Sequence, residues 1–377
     1  MPLDNLAFLD MRSIGYALLA MVIAGVVALA TTPLVKMLAG KVGAVDVPKD
    51  NRRMHDHPIP RLGGLAIFLG FIIAVLLLIP LDTAKKGMLL GAVIIVILGV
   101  FDDIHALPAL PKFVVQIIAA LIAALAGNRI EVLSNPNIFS DNPTWVLGWL
   151  SIPVTVIWIV AITNAVNLID GLDGLACGVS TISSVIMLVI ALMVSELDVA
   201  MMMGALAGAC IGFLPYNFNP AKIFMGDTGA TFLGYIMATV SVQGMFKMYN
   251  LISFVAPFLM LGLPIFDVCF AVIRRVSKGQ SPMKPDRSHV HHRLIDMGLS
   301  QKQTVGVLYV ISAILGLSAV VLTASGALKA IVFLLAMAVV GFAVWYILLG
   351  GHGRKSESKT QKEEVTEEEE DRGPSER

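Results

Sequence analysis

Charge is scarce in this chain of 377 residues: only 14% of it is Asp, Glu, Lys or Arg, where an ordinary soluble domain holds about a quarter. Hydrophobic residues make up 57% and mean hydropathy is +0.82. That balance excludes a water-soluble globular enzyme and predicts an integral membrane protein. Lys plus Arg and Asp plus Glu are equal at 27 each, so the basic footprint of a nucleic-acid binder is missing. Cysteine is scarce too. Cys177, Cys210 and Cys269 lie far apart in or beside apolar segments, without metal-ligand spacing or a disulfide framework, and read as buried small hydrophobes. No repeat of fixed period is visible. A cleavable leader is not expected, because Ile14 to Val35 is 22 uncharged residues, longer than a signal h-region.

What the chain has in abundance is long apolar runs. A hydrocarbon core takes about 20 apolar residues per helix, fewer where flanking residues snorkel. The runs 14–35, 62–80, 87–101, 112–127, 148–163, 175–194, 199–214, 228–246, 251–273, 303–323 and 328–349 meet that requirement. They predict an all-α polytopic membrane protein of about eleven transmembrane helices, with residues 1–349 as one transmembrane catalytic domain. Residues 350–377 carry nine acidic and six basic residues and almost nothing apolar, which predicts a disordered, charged cytoplasmic tail. With the N-terminus outside and the C-terminus inside, 21 of the 27 Lys and Arg fall on inner segments; the reverse topology reverses the ratio. Every polar cluster then lies on the cytoplasmic side: Asp46–Arg61, Asp102–Asp103, Asn164–Asp173, Asn219–Asp227 and Arg274–Arg293.

The central cluster reads N-A-V-N-L-I-D-G-L-D-G from Asn164 to Gly174, between two apolar runs. Asn164, Asn167, Asp170 and Asp173 recur every three residues, and would spiral around a continued helix. Gly171 and Gly174 suggest instead a helix that ends there, its polar groups turned into a shared pocket. Asp102 and Asp103 close another apolar run. Adjacent carboxylates at a membrane surface repel each other and lose hydration, which points to a metal, a cationic partner or a shared proton. Asn219 to Gly229 reads N-P-A-K-I-F-M-G-D-T-G, a tight loop with Asp227 and Thr228 where the next helix begins. Asp227 there is either a helix cap or an oxygen ligand for a hard cation such as Mg²⁺. Arg274 to Arg293 is basic and holds His289, His291 and His292, more than a topology signal needs and suited to gripping a diphosphate. The run 46–64, with P-I-P-R-L-G-G at its end, is weak evidence by itself.

Together these features suggest a phosphoryl-transfer site of hard metal, acids and basic clamp. A cation-coupled transporter is the rival, but it needs charge near the bilayer midplane, and Asp267 is the main such residue.

The chain resembles the polyprenyl-phosphate N-acetylhexosamine-1-phosphate transferase family. The resemblance rests on P-I-P-R-L-G-G (58–64), F-D-D (101–103), N-A-V-N-L-I-D-G-L-D-G (164–174), F-N-P-A-K-I-F-M-G-D-T-G (218–229) and H-V-H-H-R (289–293). It implies transfer of a sugar 1-phosphate from a UDP-sugar to undecaprenyl phosphate at the cytoplasmic face of a bacterial plasma membrane. UMP is released and Mg²⁺ is the cofactor, with Mn²⁺ as a substitute. By the same motifs Asp227 is a metal ligand with Asn167 beside it. Asp102 is the base toward the lipid phosphate, Asp103 holds that region's geometry, and Asp170 is a further pocket acid. Phe224 stacks on uracil, Asp173 pairs with it, and Asn164 belongs to the same substrate pocket. Arg287, His289, His291 and His292 contact the diphosphate and sugar phosphate. A homodimer is compatible with this reading. Val290 interrupts the histidines, as in the branch using UDP-N-acetylglucosamine; the muramoyl-pentapeptide branch of peptidoglycan synthesis carries three in a row. Pro257 and Pro264 are expected to kink the ninth span and open a groove for the isoprenoid tail.

Overall fold

Apolar runs of this length satisfy their backbone in hydrocarbon by forming helices, and the computed structural model is mostly helical. It describes residues 10–48, 57–134, 144–244, 251–277, 279, 289–324, 332–333 and 335–341. Arg287 and the tail 350–377 lie outside them. In chain order the elements are α1 (Met11–Val42), β1 (Val45–Asp46), β2 (Ile59–Pro60), α2 (Gly63–Leu78), α3 (Thr83–His105), α4 (Ala109–Leu125), β3 (Val132–Ser134), β4 (Thr144–Val146), α5 (Ser151–Ile169), α6 (Leu175–Met193), α7 (Leu197–Asn217), α8 (Gly226–Gly244), α9 (Leu251–Met260), α10 (Gly262–Ser277), α11 (Val290–Asp296) and α12 (Gln301–Ala324). The strands form two short antiparallel pairs, β1 with β2 and β3 with β4. Among the described residues six helices are long and apolar enough to cross a membrane: α1, α3, α5 with the turn before it, α6, α7 and α12; α2 and α4 are shorter apolar helices.

The surface is inverted relative to a soluble protein. Leu18, Val22, Val26 and Leu29 of α1 face outward, while Ala17, Ala20, Ala24 and Ala28 face inward. Against those alanines run Gly204, Gly208 and Gly212 of α7, and a Cβ on Gly208 would fall on the Met21 carbonyl. Small residues on both sides let two backbones approach closely where no hydrophobic effect separates helix from lipid.

At the centre is α8. All its residues are buried except Asp227. Its polar residues Thr231, Thr239, Ser241 and Gln243 are tolerated because protein surrounds it, and Trp158 of α5 donates to Ser241 Oγ at 3.1 Å. Phe232 meets Phe68 and Phe71 of α2 edge-on, each at 5.5 Å between centroids. The buried position of α8 fixes its first turn, and hence Asp227, at the meeting point of α2, α3 and α5.

The ninth apolar run is two helices. Pro264 has no N–H for the Met260 carbonyl, and α9 ends at Met260 with α10 starting at Gly262. The carbonyl that Pro264 leaves open is taken by Ser183 of α6, whose Oγ donates to Met260 O at 2.7 Å.

Candidate active site

The cluster forms where helix ends converge. α3 runs past the expected boundary at residue 101 to His105, so Asp102 and Asp103 sit on its last turn, 6% and 5% exposed. Neighbours on a helix point about 100° apart, and the two carboxylates do different work. Asp103 turns into the protein. Its Oδ1 accepts from the Asp227 N–H at 3.0 Å, and its Oδ2 from the Thr228 N–H at 3.0 Å and the Thr228 hydroxyl at 2.7 Å. Arg61 Nη2 lies 3.3 Å from Oδ1. Asp103 therefore caps α8 from another helix. Gly226, at φ 71°, lets the chain pass over this carboxylate; a Cβ there would fall on Asp103 Oδ2.

Asp227 does not cap its own helix, since it lies within the first turn of α8. Its Oδ1 accepts from Asn167 Nδ2 at 3.1 Å and its Oδ2 from Lys112 Nζ at 3.1 Å. The same ammonium donates to Asp102 Oδ2 at 2.7 Å, and Asp102 Oδ1 accepts from the Leu107 N–H at 2.6 Å. One cation thus bridges two carboxylates drawn from sites 125 residues apart.

Lys112 was visible in the sequence only as a positive charge on an inner segment. Its signal was position: a lysine in the first turn of an apolar helix, just after the acidic pair. Arg61 was likewise missed, although P-I-P-R-L-G-G proves structural to the site. Phe224 N–H donates to Pro60 O at 2.8 Å, Gly63 N–H to Phe224 O at 2.9 Å and Gly64 N–H to Met225 O at 2.8 Å. A Cβ on Gly64 would fall on the Gly229 amide nitrogen. The motif is thus the mould for the loop that delivers Asp227.

α5 ends at Ile169, placing Asn164 and Asn167 on its last turns and Asp170 and Asp173 in the turn beyond. Asn164 pairs with α4 and its own helix; its Nδ2 donates to Gln116 Oε1 at 2.6 Å and to Val160 O at 2.8 Å. Asp173 Oδ2 accepts from Asn219 Nδ2 at 2.9 Å and from the Ala221 N–H at 3.0 Å, tying this turn to the loop that carries Phe224. The Asp170 N–H donates to Asn167 O at 3.2 Å, while its carboxyl group makes no hydrogen bond or ion pair among the described residues. Burial pushes its pKa up to about 8, and the nearby Asp227 and Asp103 carboxylates add to that rise.

The histidine loop closes over this turn. His289 stacks on His291 with centroids 5.9 Å apart, and His291 meets His292 at a tilt of 44°, 4.3 Å between centroids. A Cβ on Gly171 would fall on His291 Nε2, so only glycine admits the ring there. That nitrogen is buried without a hydrogen-bond partner, and burial, then His292, lowers the His291 pKa from 6.5 to about 4. The sign follows: the folded state refuses a proton that the unfolded chain accepts. Stability is therefore complete above pH 6.5 and is lost as pH falls toward 4, by about 3 kcal/mol in total. Thermal unfolding across that range should show the loss, and His291→Leu should flatten it; an unchanged slope would remove His291 as its source. Asp267, the residue that favoured a transporter, lies 2.8 Å from His289 Nδ1 rather than facing a conduction path.

Among the described residues no three of His, Cys, Asp and Glu surround one point. The oxygens at the centre are nonetheless the hard carboxylates of Asp227 and Asp102, with Asn167 turning its amide N–H to Asp227 at 3.1 Å. The Lys112 ammonium already marks the place that demands positive charge. That donor set fits Mg²⁺ rather than a thiolate- or imidazole-seeking metal.

Residues 86–245, which hold α3 through α8, match the glycosyl transferase family 4 profile. The chain is 44% identical over 310 residues to a Bacillus subtilis protein named a probable undecaprenyl-phosphate N-acetylglucosaminyl 1-phosphate transferase, covering 81% of this chain and 86% of that one. The chain belongs to glycosyl transferase family 4. Within the family it is also 35% identical over 343 residues to the decaprenyl-phosphate N-acetylglucosaminephosphotransferase of Mycobacterium tuberculosis, covering 81% of this chain and 83% of that one. A Yersinia pestis protein named an undecaprenyl-phosphate alpha-N-acetylglucosaminyl 1-phosphate transferase is 28% identical over 293 residues, covering 76% and 79%.

Proposed function

We propose that this family 4 member transfers N-acetylglucosamine 1-phosphate from UDP-N-acetylglucosamine to undecaprenyl phosphate, releasing UMP, at the cytoplasmic face of a bacterial plasma membrane. The observation that carries the reading is the bridging of Asp102 and Asp227 by Lys112 at converging helix ends, in a chain whose relatives bear that activity in their names. Two phosphate-bearing substrates must meet, and their mutual repulsion has to be offset. Lys112 and Arg61 supply charge from one side and the histidine loop from the other. Mg²⁺, held by Asp227 with Asn167 and Asp102, would supply further charge neutralisation to the transferring diphosphate. Asp103 keeps Asp227 at a fixed height by capping α8. Asp102, once released from Lys112, is positioned as the proton acceptor toward the lipid phosphate, and Asp170 as a proton store beside it.

The acceptor's tail needs a way to stay in hydrocarbon. Where α9 and α10 part, an apolar cavity of about 310 Å³ opens against α5, lined by Trp158, Ile162, Phe258, Ile265 and Val268. Its lining by Phe258 of α9 and by Ile265 and Val268 of α10, on either side of the junction, supports the expected groove. Eleven spans with the N-terminus out and the C-terminus in put the acidic end of α3 on the inner face. Lys85, near the other end of that helix, is neutralised by Asp82 at 2.8 Å and Asp198 at 2.6 Å, so it is a weak vote for the opposite orientation.

The test is a radiolabel transfer assay with purified protein and undecaprenyl phosphate. UDP-N-acetylglucosamine should give lipid-linked sugar and UMP only with Mg²⁺ present, and UDP-muramoyl-pentapeptide should give none. Efficient use of the pentapeptide donor would sink the donor assignment. Absence of UMP from every donor would sink the transferase reading.

A further inference from the structure

Asp267 is 4% exposed within α10. An ionised carboxylate so deep is costly unless both oxygens are engaged. Both are: Oδ2 lies 2.8 Å from His289 Nδ1, and Oδ1 accepts from the Val290 N–H at 2.9 Å. A carboxylate can only accept, so the proton between Asp267 and His289 sits on Nδ1, and the ring's tautomer is set by α10. His289 Nε2 makes no hydrogen bond among the described residues. The ring is 6% exposed and nearly parallel to His291, at 7°. His291 in turn rests on Gly171, next to Asp170. A column therefore runs from the Asp267 carboxylate through two imidazoles to the acidic turn.

From this we infer that Asp267 is a positioning residue for the transfer reaction. It orients His289 with Nδ1–H toward itself and Nε2 free for the nucleotide-sugar diphosphate. The inference rests on the transferase reading. A cap for α11 alone would explain the Val290 bond, but a seven-residue helix needs only a neutral acceptor for that. The ring contact is the part that requires a carboxylate.

Asp267→Asn separates the two. Its amide oxygen can still accept from Val290, but its NH₂ faces Nδ1 and forces the opposite tautomer. The Michaelis constant for UDP-N-acetylglucosamine should rise about tenfold with little change in turnover, the scale of one charge-assisted hydrogen bond. The constant for undecaprenyl phosphate should stay put, and Asp267→Glu should recover most of the loss. In a His289→Ala background Asp267→Asn should add nothing. Nitrogen spectra of histidine-labelled protein, with His289→Ala identifying the signal, should show Nδ1 change from protonated to unprotonated. An effect that multiplies in the His289→Ala background, or an Nδ1 signal that does not move, overturns the proposal and leaves Asp267 a structural tether. If the wild-type protein releases no UMP, the transferase reading fails instead, and the nitrogen spectra still decide whether Asp267 sets the ring.

Discussion

Asp227→Asn should fold normally and lose about a thousandfold in turnover, the scale seen when one charge-stabilising group is removed from a preorganised site. The substitution keeps the side chain's shape and its contact with Asn167, and Thr228 and Asp103 still cap α8. What it removes is one negative charge, and with it half of the pair that Lys112 bridges at 2.7 and 3.1 Å. If Mg²⁺ binds there, the half-saturating Mg²⁺ concentration should also rise. A helix cap would behave otherwise: Asn is as good a cap as Asp, so a capping Asp227 predicts near-normal turnover. Turnover at several Mg²⁺ concentrations, alongside the unfolding midpoint, distinguishes the two. Near-normal activity at low Mg²⁺ would falsify the metal assignment.

At Asp103 the expected result has the opposite character, because the protein itself fails. Its carboxyl group is fully buried and accepts from Asp227 N–H, Thr228 N–H, Thr228 Oγ and Arg61. Asp103→Ala strands these donors and should cost about 3–5 kcal/mol, as when one partner of a buried charged pair is removed. Asp103→Asn should be nearly as damaging, since either orientation of the amide points an N–H at a donor. Activity should fall with the folded fraction and recover in neither variant when Mg²⁺ is raised. The check is the unfolding midpoint: Asp103→Asn with wild-type stability and lost turnover would mean that Asp103 acts on the reaction directly.

The contrast between these aspartates shows where one-dimensional reading stops. Asp102 and Asp103 are adjacent letters with the same chemistry. The helix turns them about 100° apart, so one meets Lys112 and the other the start of α8. Asp227 could be read as a cap or as a ligand, and the presence of Asp103 at the cap position rules out the cap. Asn164 shares the spacing of Asn167 yet points to Gln116, because α4 packs against that side of α5.

What the sequence by itself determined is everything whose cause is local or compositional. Apolar runs in a weakly charged chain must become helices in hydrocarbon. Pro264 breaks the ninth run because it lacks a donor, and Gly174, at φ 77°, turns the chain from the polar end of α5 into α6. The acids, amides and histidines were legible as motifs for the same reason, since each is a short stretch with its own turn chemistry. Only the tertiary structure decided which of them touch. Lys112 and Asp267 carry no motif, and Arg61 sits in one, P-I-P-R-L-G-G, that by itself gave it no partner. Their roles come from burial, where a charge must find a partner, and the partners lie on other helices: Asp102 and Asp227 for Lys112, Asp103 for Arg61, His289 for Asp267.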